Sequence, residues 1–308
     1  MARPSIGRRP GPTTLLVGAA SRDIDDHDPR GWRLGGGVVH GALAVARLGL
    51  PVRALVGVDR AAATASELDT LRASGVEVRL CALDRGPVFD NQRLSADGAR
   101  HQVAHSPSDR IGPDALPAAW WLCEAVVLAP VAGELPDEWA RAVPAGRLVS
   151  LGWQGVARLL VAGHPVAALP LVPSALIERA DLGVVSAEDA RAGGAVLSAL
   201  LPRRGQRLVV THGPRGALLV ERRAKGLACR SLPVRPAERV VDATGAGDVL
   251  LATWTAASAA LRWAGRDDPP AGALRVAIAA AEAKVECPDL AATPDLRGIM
   301  PRVLRRHG

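Results

Sequence analysis

The sequence of 308 residues contains no tyrosine, one phenylalanine and only four cysteines. The cysteines lie far apart and form no C-x-x-C pair, and the histidines show no H-x-x-x-H spacing around a glutamate, which excludes the usual zinc motifs. We therefore expect no structural metal. In a reducing compartment the four residues would remain free thiols; they are Cys81, Cys123, Cys229 and Cys287.

Long apolar runs and clusters of basic residues are also missing. No stretch of eighteen or more apolar residues lacks a charge or a helix breaker, which argues against a membrane span. The net charge of +7 comes almost wholly from scattered arginines, because Lys225 and Lys284 are the only lysines. With few aromatic side chains to stack on bases, we expect no nucleic-acid partner. Residues 1–12 have no apolar signal-peptide core, so we expect a disordered leader and a cytoplasmic protein.

Short apolar runs alternate with helical segments from about residue 13 onward. The predicted strands are Thr13–Gly18, Val52–Val58, Val76–Leu80, Ala125–Ala129, Arg147–Leu151, Leu182–Val185 and Arg207–Thr211. The predicted helices are Val38–Leu48, Ala61–Ser74, Ala187–Leu201, Ala246–Leu261 and Ala271–Val285. This alternation favours an α/β fold with a mostly parallel sheet between helices, here one domain over residues 13–308.

The segment Pro87–His105 does not fit that alternation. It contains two polar runs around Ala96-Asp97-Gly98, a sequence typical of a turn, and therefore predicts a β-hairpin. A polar hairpin inside an α/β chain is a candidate lid over a site. We expect the lid to be formed by about residues 20–34 and 87–105.

The strongest chemical signal is the run from Asp242 to Asp248, with the sequence DATGAGD, just before an apolar helical stretch. Glycines at a loop-to-helix junction let backbone N–H groups approach an anion, and the helix N-terminus adds its dipole. The run predicts an anion hole formed by Gly245, Ala246 and Gly247, with Asp248 as a general base.

The alternative for this run is a purely structural one: an ordinary glycine-rich helix start, with Asp248 as a favourable acidic residue in the first turn. Two known phosphate loops do not fit. A Walker A loop would end in G-K-[ST], and a dinucleotide fingerprint would read G-x-G-x-x-G early in the chain. Two aspartates close to T-G-A-G on either side favour phosphoryl transfer over a purely structural role.

The run resembles the D-T-x-G-A-G-D signature of the PfkB/ribokinase-like carbohydrate kinases, with Ala243 in place of the usual threonine. Gly35–Gly49 (GGGVVHGALAVARLG) is similar to the N-terminal glycine motif of the same family. The resemblance implies a three-layer ribokinase-like sandwich with a small β lid. The lid segment with Phe89 and Asn91, together with Gly152-Trp153-Gln154-Gly155, is similar to an inositol-kinase-like subgroup, although Trp153 also suits plain core packing.

On the acceptor side, the resemblance implies contacts from Gly35, Gly36 and the lid Asn91, in addition to Asp248. An acidic residue after the first strand would bind acceptor hydroxyls. Asp23 is the candidate, while Asp25 or Asp26 could equally serve. His40 stands where ribokinase has a sugar-binding asparagine; it could donate to a hydroxyl or be a helix-surface or core histidine.

On the donor side, the resemblance implies ATP with Mg²⁺. The turn T-x-G-x-x-G is matched by Thr211, Gly213 and Gly216, and the anion loop adds Thr244, Gly245 and Gly247. The family's N-x-x-E element is matched by Ser186 and Asp189, so both of its polar positions differ. The resemblance implies an indirect metal role for Asp189, although this position holds a glutamate in the family.

These expectations amount to ATP-dependent phosphorylation of a hydroxyl on a sugar, cyclitol or nucleoside-like molecule. The alternative is a catalytically weak relative that binds sugar or nucleotide as a sensor, which the altered Ser186 and Asp189 element motivates. The resemblance also suggests a homodimer joined through the lids and a monovalent-cation site near the anion hole.

Overall fold

The computed structural model describes residues 12–94, 100–235, 237, 239–266 and 272–300. Residues 1–11 of the predicted leader and the predicted turn Ala96–Gly98 lie outside this range. The described residues form strands that are, in chain order, β1 (Thr14–Ala19), β2 (Ser21–Ile24), β3 (Trp32–Gly35), β4 (Val52–Val58), β5 (Glu77–Ala82), β6 (Val88–Leu94), β7 (Arg100–Ser106), β8 (Ala125–Leu128), β9 (Leu148–Gly152), β10 (Arg158–Leu159), β11 (His164–Pro165), β12 (Ala167–Ala168), β13 (Leu182–Ser186), β14 (Arg207–Thr211), β15 (Ala217–Arg223) and β16 (Gly226–Leu232).

The α-helices of the described residues flank these strands. They are α1 (Gly37–Arg47), α2 (Ser66–Ala73), α3 (Glu138–Ala142), α4 (Ala175–Arg179), α5 (Ala187–Ala192), α6 (Leu197–Leu200), α7 (Ala246–Trp263) and α8 (Gly272–Val285). None of the helices in the described ranges is long and apolar enough to cross a membrane.

Nine strands form the central sheet in the order β16-β15-β14-β13-β9-β8-β1-β4-β5. The seven from β14 to β5 are parallel, whereas β15 and β16 continue the sheet in antiparallel fashion. The parallel direction brings the carboxyl ends of seven strands to one edge, where the loops of an α/β sheet build ligand sites.

Helices cover both faces of the central sheet. Strand β1 is buried along its whole length, because its alternate side chains pack into apolar cores on opposite faces of the sheet. Leu16 packs with α1, α2, α7 and α8, while Leu15 and Val17 pack on the opposite face with α3, α4 and α6. This is the predicted α/β three-layer sandwich, and the fold class is confirmed.

A second, five-stranded sheet has the order β11-β7-β6-β2-β3. Its hairpin β6–β7 is the one predicted from Pro87–His105, and its pairing shifts register twice. Strand β2 pairs in parallel with β6, so that Asp23 lies beside Phe89. Because β2 starts two residues after β1 ends, this small sheet is tied directly to the carboxyl edge of the central sheet.

Two helix predictions were wrong in detail. Ala187–Leu201 is not one helix but two, α5 and α6, because Gly193 and Gly194 interrupt it and Gly194 adopts a positive φ of 59°. Helix α2 begins at Ser66 and not at Ala61, since a 3₁₀ turn precedes it and Ala65 is extended. Strand β3 was not predicted, because its sequence WRLG is only four residues long and follows a polar stretch.

Candidate active site

The run from Asp242 to Asp248 forms a loop that turns into the first residues of α7. Asp242 Oδ1 accepts a hydrogen bond of 2.8 Å from the Thr244 backbone N–H. Gly245 precedes the helix with φ of 78°, a left-handed conformation that favours glycine. The turn begins an eighteen-residue helix, whose first N–H groups have no partner within the helix, and Gly245, Gly247 and Asp248 line the adjoining cleft.

His40 supports this loop from behind. A Cβ atom built on Gly245 would lie 2.5 Å from His40 Cγ, so the ring is packed against the glycine. Burial, together with the nearby charge of Lys284, lowers the pKa of His40 to about 4. His40 therefore stays neutral, and it is absent from the cleft lining. Of the interpretations open from sequence, the structure corresponds to a core histidine.

A cleft of about 580 Å³ opens between the carboxyl edge of the central sheet and the small sheet. It brings together most of the predicted site residues: Asp23, Gly36, Asn91, Ser186, Asp189, Thr211, Thr244, Gly245, Gly247 and Asp248. The predicted residues that do not line it are Gly35, His40, Gly213, Gly216 and Ala246. Phe89 and Gln154 also line the cleft, whereas Trp153 is buried in the core.

Asp248 lies at the first turn of α7, with its carboxylate against α1. Burial raises the pKa of Asp248 to about 6; Arg158 opposes that rise and the charge of Asp23 adds to it. A carboxylate with a raised pKa is a stronger proton acceptor than an exposed one and is still mostly ionised at neutral pH. The side chain is thus suited to deprotonate a hydroxyl in the cleft.

Asp23 is the second carboxylate of the cleft. Burial raises its pKa to about 6, although a 3.0 Å hydrogen bond from Ser21 Oγ to Oδ1 opposes the rise. The two alternatives from sequence lie elsewhere, since Asp25 pairs with Arg33 at 2.6 Å and Asp26 is exposed. Of these three acids, Asp23 is the one that lines the cleft.

A hydrogen-bonded chain of side chains crosses the cleft from the small sheet to the start of α5. Gln102 Nε2 donates to Asn91 Oδ1 at 2.7 Å, and Arg158 Nη1 donates to Gln102 Oε1 at 2.9 Å. Arg158 then binds both carboxylate oxygens of Asp189, each at 3.0 Å. Sequence reasoning missed Arg158 and Gln102. The available signal was the position of Arg158 four residues after Gln154, in a segment already tied to the lid.

The ends of β13 and β14 form the wall of the cleft where the sequence predicts donor binding. Ser186 caps α5 by accepting a 2.9 Å bond from the Asp189 N–H, and its Oγ donates to Asp189 Oδ2 at 2.7 Å. Thr211 ends β14, and a 3₁₀ turn with Gly213 and Gly216 at positive φ leads into β15. The tight turn expected from sequence is present, with Thr211 as its cleft-facing residue.

Asp189 is the residue for which the resemblance implies an indirect metal role. Both oxygens of Asp189 are engaged by Arg158, and the described ranges contain no group of three or more His, Cys, Asp or Glu side chains that could ligate one. A metal ion in this cleft would therefore fit best as part of a metal–phosphate substrate, with Glu188 and Asp189 on the nearby wall.

Comparison with known proteins identifies the fold. A pyrophosphate-dependent kinase of the ribokinase family, complexed with a pyrophosphate analogue and myo-inositol, has a TM-score of 0.71 at 19% identity, over 94% of this chain and 99% of that one. Residues 168–296 match the model described as pfkB family carbohydrate kinase. The fold is ribokinase-like. The predicted resemblance to the PfkB/ribokinase-like kinases is thereby confirmed.

Two further ribokinase-like structures show the range of this similarity. Arabidopsis thaliana ribokinase complexed with ribose and ATP has a TM-score of 0.64 at 19% identity, over 95% of this chain and 99% of that one. The Methanocaldococcus jannaschii nucleoside kinase has a TM-score of 0.65 at 16% identity, over 96% and 99%. A search of curated proteins by sequence found no match.

Proposed function

We propose that the protein is a small-molecule kinase, which transfers a phosphoryl group to a hydroxyl of a sugar, cyclitol or nucleoside-like acceptor. One observation carries the proposal. A single cleft combines the glycine-rich start of α7 with Asp23 and Asp248, two carboxylates whose pKa burial raises to about 6. Phosphoryl transfer requires those parts together: an anion hole, a base and a group that orients the acceptor.

In the proposed reaction, Asp23 accepts hydrogen bonds from acceptor hydroxyls and so fixes which one faces Asp248. Asp248 takes the proton of that hydroxyl as its oxygen attacks the terminal phosphorus of the donor. The bond from phosphorus to the bridging oxygen breaks, and that oxygen leaves with the remaining phosphate of the donor. Backbone N–H groups of Gly245, Gly247 and Asp248, which line the cleft, stabilise the charge on the transferring group.

The proposed donor is ATP as its Mg²⁺ complex, bound along Thr211 and the anion loop. The metal, when present, neutralises phosphate charge. Arg158 is the arginine that lines the cleft among the described residues, and it would add a fixed positive charge on the donor side. Because one similar structure contains ATP and another a pyrophosphate analogue, the test of function must include both donors.

The small sheet is proposed to act as a lid that excludes water during transfer. Support comes from its direct connection to β1 and from the Asn91–Gln102–Arg158 chain, which joins it to the donor side. Lid contact with the donor wall would couple acceptor binding to donor binding.

The proposal is tested by a thermal-shift screen of the purified protein with Mg·ATP and Mg·pyrophosphate, alone and with sugars, cyclitols and nucleosides. A ligand at 100 times its Kd should stabilise the native state by about 2.7 kcal/mol. Stabilisation by one donor and one acceptor class, followed by donor consumption that needs both, supports the kinase. Binding without consumption would favour the alternative, a sugar or nucleotide sensor. No response to any donor would reject both.

A further inference from the structure

Lys284 is a buried charged residue that the proposed reaction does not use. It lies in the last turn of α8 and only 2% of its surface is exposed. The only other lysine of the sequence, Lys225, is exposed on the β15–β16 turn. A buried ammonium group loses its hydration, so it must be compensated by specific partners or it destabilises the fold.

The partners of Lys284 belong to the anion loop. Its Nζ donates to the backbone oxygen of Asp242 at 3.4 Å. Burial opposes a low pKa at the Asp242 carboxyl, but the hydrogen bonds from Thr244 and the positive charges of Lys284 and Arg33 together lower that pKa. Asp242 Oδ1 in turn accepts the Thr244 N–H that shapes the loop. Lys284 thus holds, through Asp242, the turn that leads to Gly245 and the start of α7.

The backbone strengthens the same connection. The N–H groups of Val241 and Asp242 both donate to the carbonyl oxygen of Val285, at 2.8 and 3.2 Å. The end of α8 is therefore joined to the loop by two backbone bonds and one ammonium group. On the other side of the loop the neutral His40 ring packs against Gly245. Lys284 is the buried cation beside the loop, whereas Arg33, which also lowers the pKa of Asp242, is 42% exposed.

We propose that Lys284 is a positioning residue that acts as a built-in cation for the anion loop, so that phosphate binding does not depend on a dissolved monovalent cation. This rests on the proposed function, because it assigns the loop to the phosphates of the donor. The tethered ammonium group fixes Asp242 and offsets its charge, and it cannot dissociate as a free ion can. In this proposal the ammonium group of Lys284 takes the place of the bound monovalent cation that the resemblance suggests.

The test measures binding of inorganic pyrophosphate and of ADP by calorimetry, in choline chloride and in potassium or ammonium chloride at equal ionic strength. Wild-type affinity should change by less than about twofold between these salts. Lys284→Ala should bind about tenfold more weakly in choline chloride, since a charged hydrogen-bond donor is lost. Potassium, ammonium or methylammonium ions should restore most of that loss by entering the vacated space.

Control variants separate this role from a general loss of stability. Lys225→Ala removes the exposed lysine and should bind as the wild type does in every salt. Lys284→Met keeps the side-chain volume but not the charge; it should fold if Lys284→Ala does not, and it should show the weaker binding without rescue.

Three results would overturn the inference. They are a wild type that itself needs potassium, a Lys284→Met variant with unchanged affinity, and a Lys284→Ala variant that no cation rescues. If the wild type binds neither pyrophosphate nor ADP, the proposed function fails together with it. Binding that is insensitive to Lys284 rejects the built-in cation alone.

Discussion

The first residue of α1, Gly37, lies directly against the carboxylate of Asp248. A Cβ atom built on Gly37 would be 2.6 Å from Asp248 Oδ1. Gly37 is helical and has no positive φ, so the space occupied by Asp248, and not the backbone conformation, requires a glycine here. The two glycine-rich motifs recognised in the sequence therefore meet at the proposed base.

Gly37→Ala should lower kcat by about tenfold or more, because a displacement of about 1 Å at a catalytic group is enough for such losses. Helix propensity favours alanine, so stability should not fall in proportion. Gly112→Ala is the matched control, since its Cβ would meet the exposed carboxylate of Asp114 away from the cleft. Steady-state kinetics and thermal melts check both variants. An unchanged kcat in Gly37→Ala would show that the contact between Gly37 and Asp248 does not position the proposed base.

Gly35→Ala should affect the acceptor and not the chemical step. A Cβ on Gly35 would collide with the carboxylate of Asp23, across the β2–β3 pair. Displacing Asp23 weakens hydroxyl recognition, so we expect KM for the acceptor to rise about tenfold with a smaller change in kcat. Donor KM should stay near its wild-type value. A variant in which donor KM rises and acceptor KM does not would show that Asp23 was assigned to the wrong substrate.

The pH dependence of turnover should report the two buried carboxylates. Burial raises the pKa of both Asp248 and Asp23 to about 6, so kcat/KM should fall as pH drops below about 6, where the base gains a proton. Because the charge of Asp23 raises the pKa of Asp248 and both groups titrate in the same range, the acid limb reports the two carboxylates together. A flat profile between pH 5 and pH 8 would contradict the assignment of Asp248 as base.

Arg158→Met should move that acid limb to higher pH. Arg158 lowers the pKa of Asp248, so removing its charge leaves the base protonated over a wider range. Donor KM should also rise, because the bidentate pair with Asp189 and the bond to Gln102 are lost. Arg110→Met, which disrupts the exposed pair with Glu138, is the control and should leave the profile unchanged. If the acid limb of the pH profile does not shift in Arg158→Met, then the charge of Arg158 does not influence the pKa of Asp248.

Asp248→Asn should stabilise the protein at neutral pH while it removes activity. A raised pKa means that the folded state holds the proton more tightly than the unfolded state. The protonated form therefore adds stability below the unfolded pKa, and that contribution is lost as pH rises through about 6. At pH 7.5 the variant should melt about 2–6 °C higher than the wild type. The difference in melting temperature should shrink toward pH 4. An equal difference at pH 4 and pH 7.5 would contradict the raised pKa of Asp248.

Much of the fold could be predicted because β1 and β4 are short apolar runs and because glycines mark helix ends such as Gly49. The anion loop could be predicted because its function depends on backbone N–H groups, which a local glycine pattern specifies. Arg158 could not, because its partners Gln102 and Asp189 come from distant segments. The same holds for His40 and Lys284, whose burial beneath the loop depends on how α1 and α8 pack.

The most direct test of the central claim is ³¹P NMR of the protein with Mg·ATP or Mg·pyrophosphate and each acceptor class. We predict a new phosphomonoester resonance, formed as the donor is consumed, with one donor and one acceptor class. Asp248→Asn should reduce its rate of formation by about two to four orders of magnitude while donor binding is retained. The absence of any ester from folded wild-type protein, or its undiminished formation by Asp248→Asn, would contradict the account.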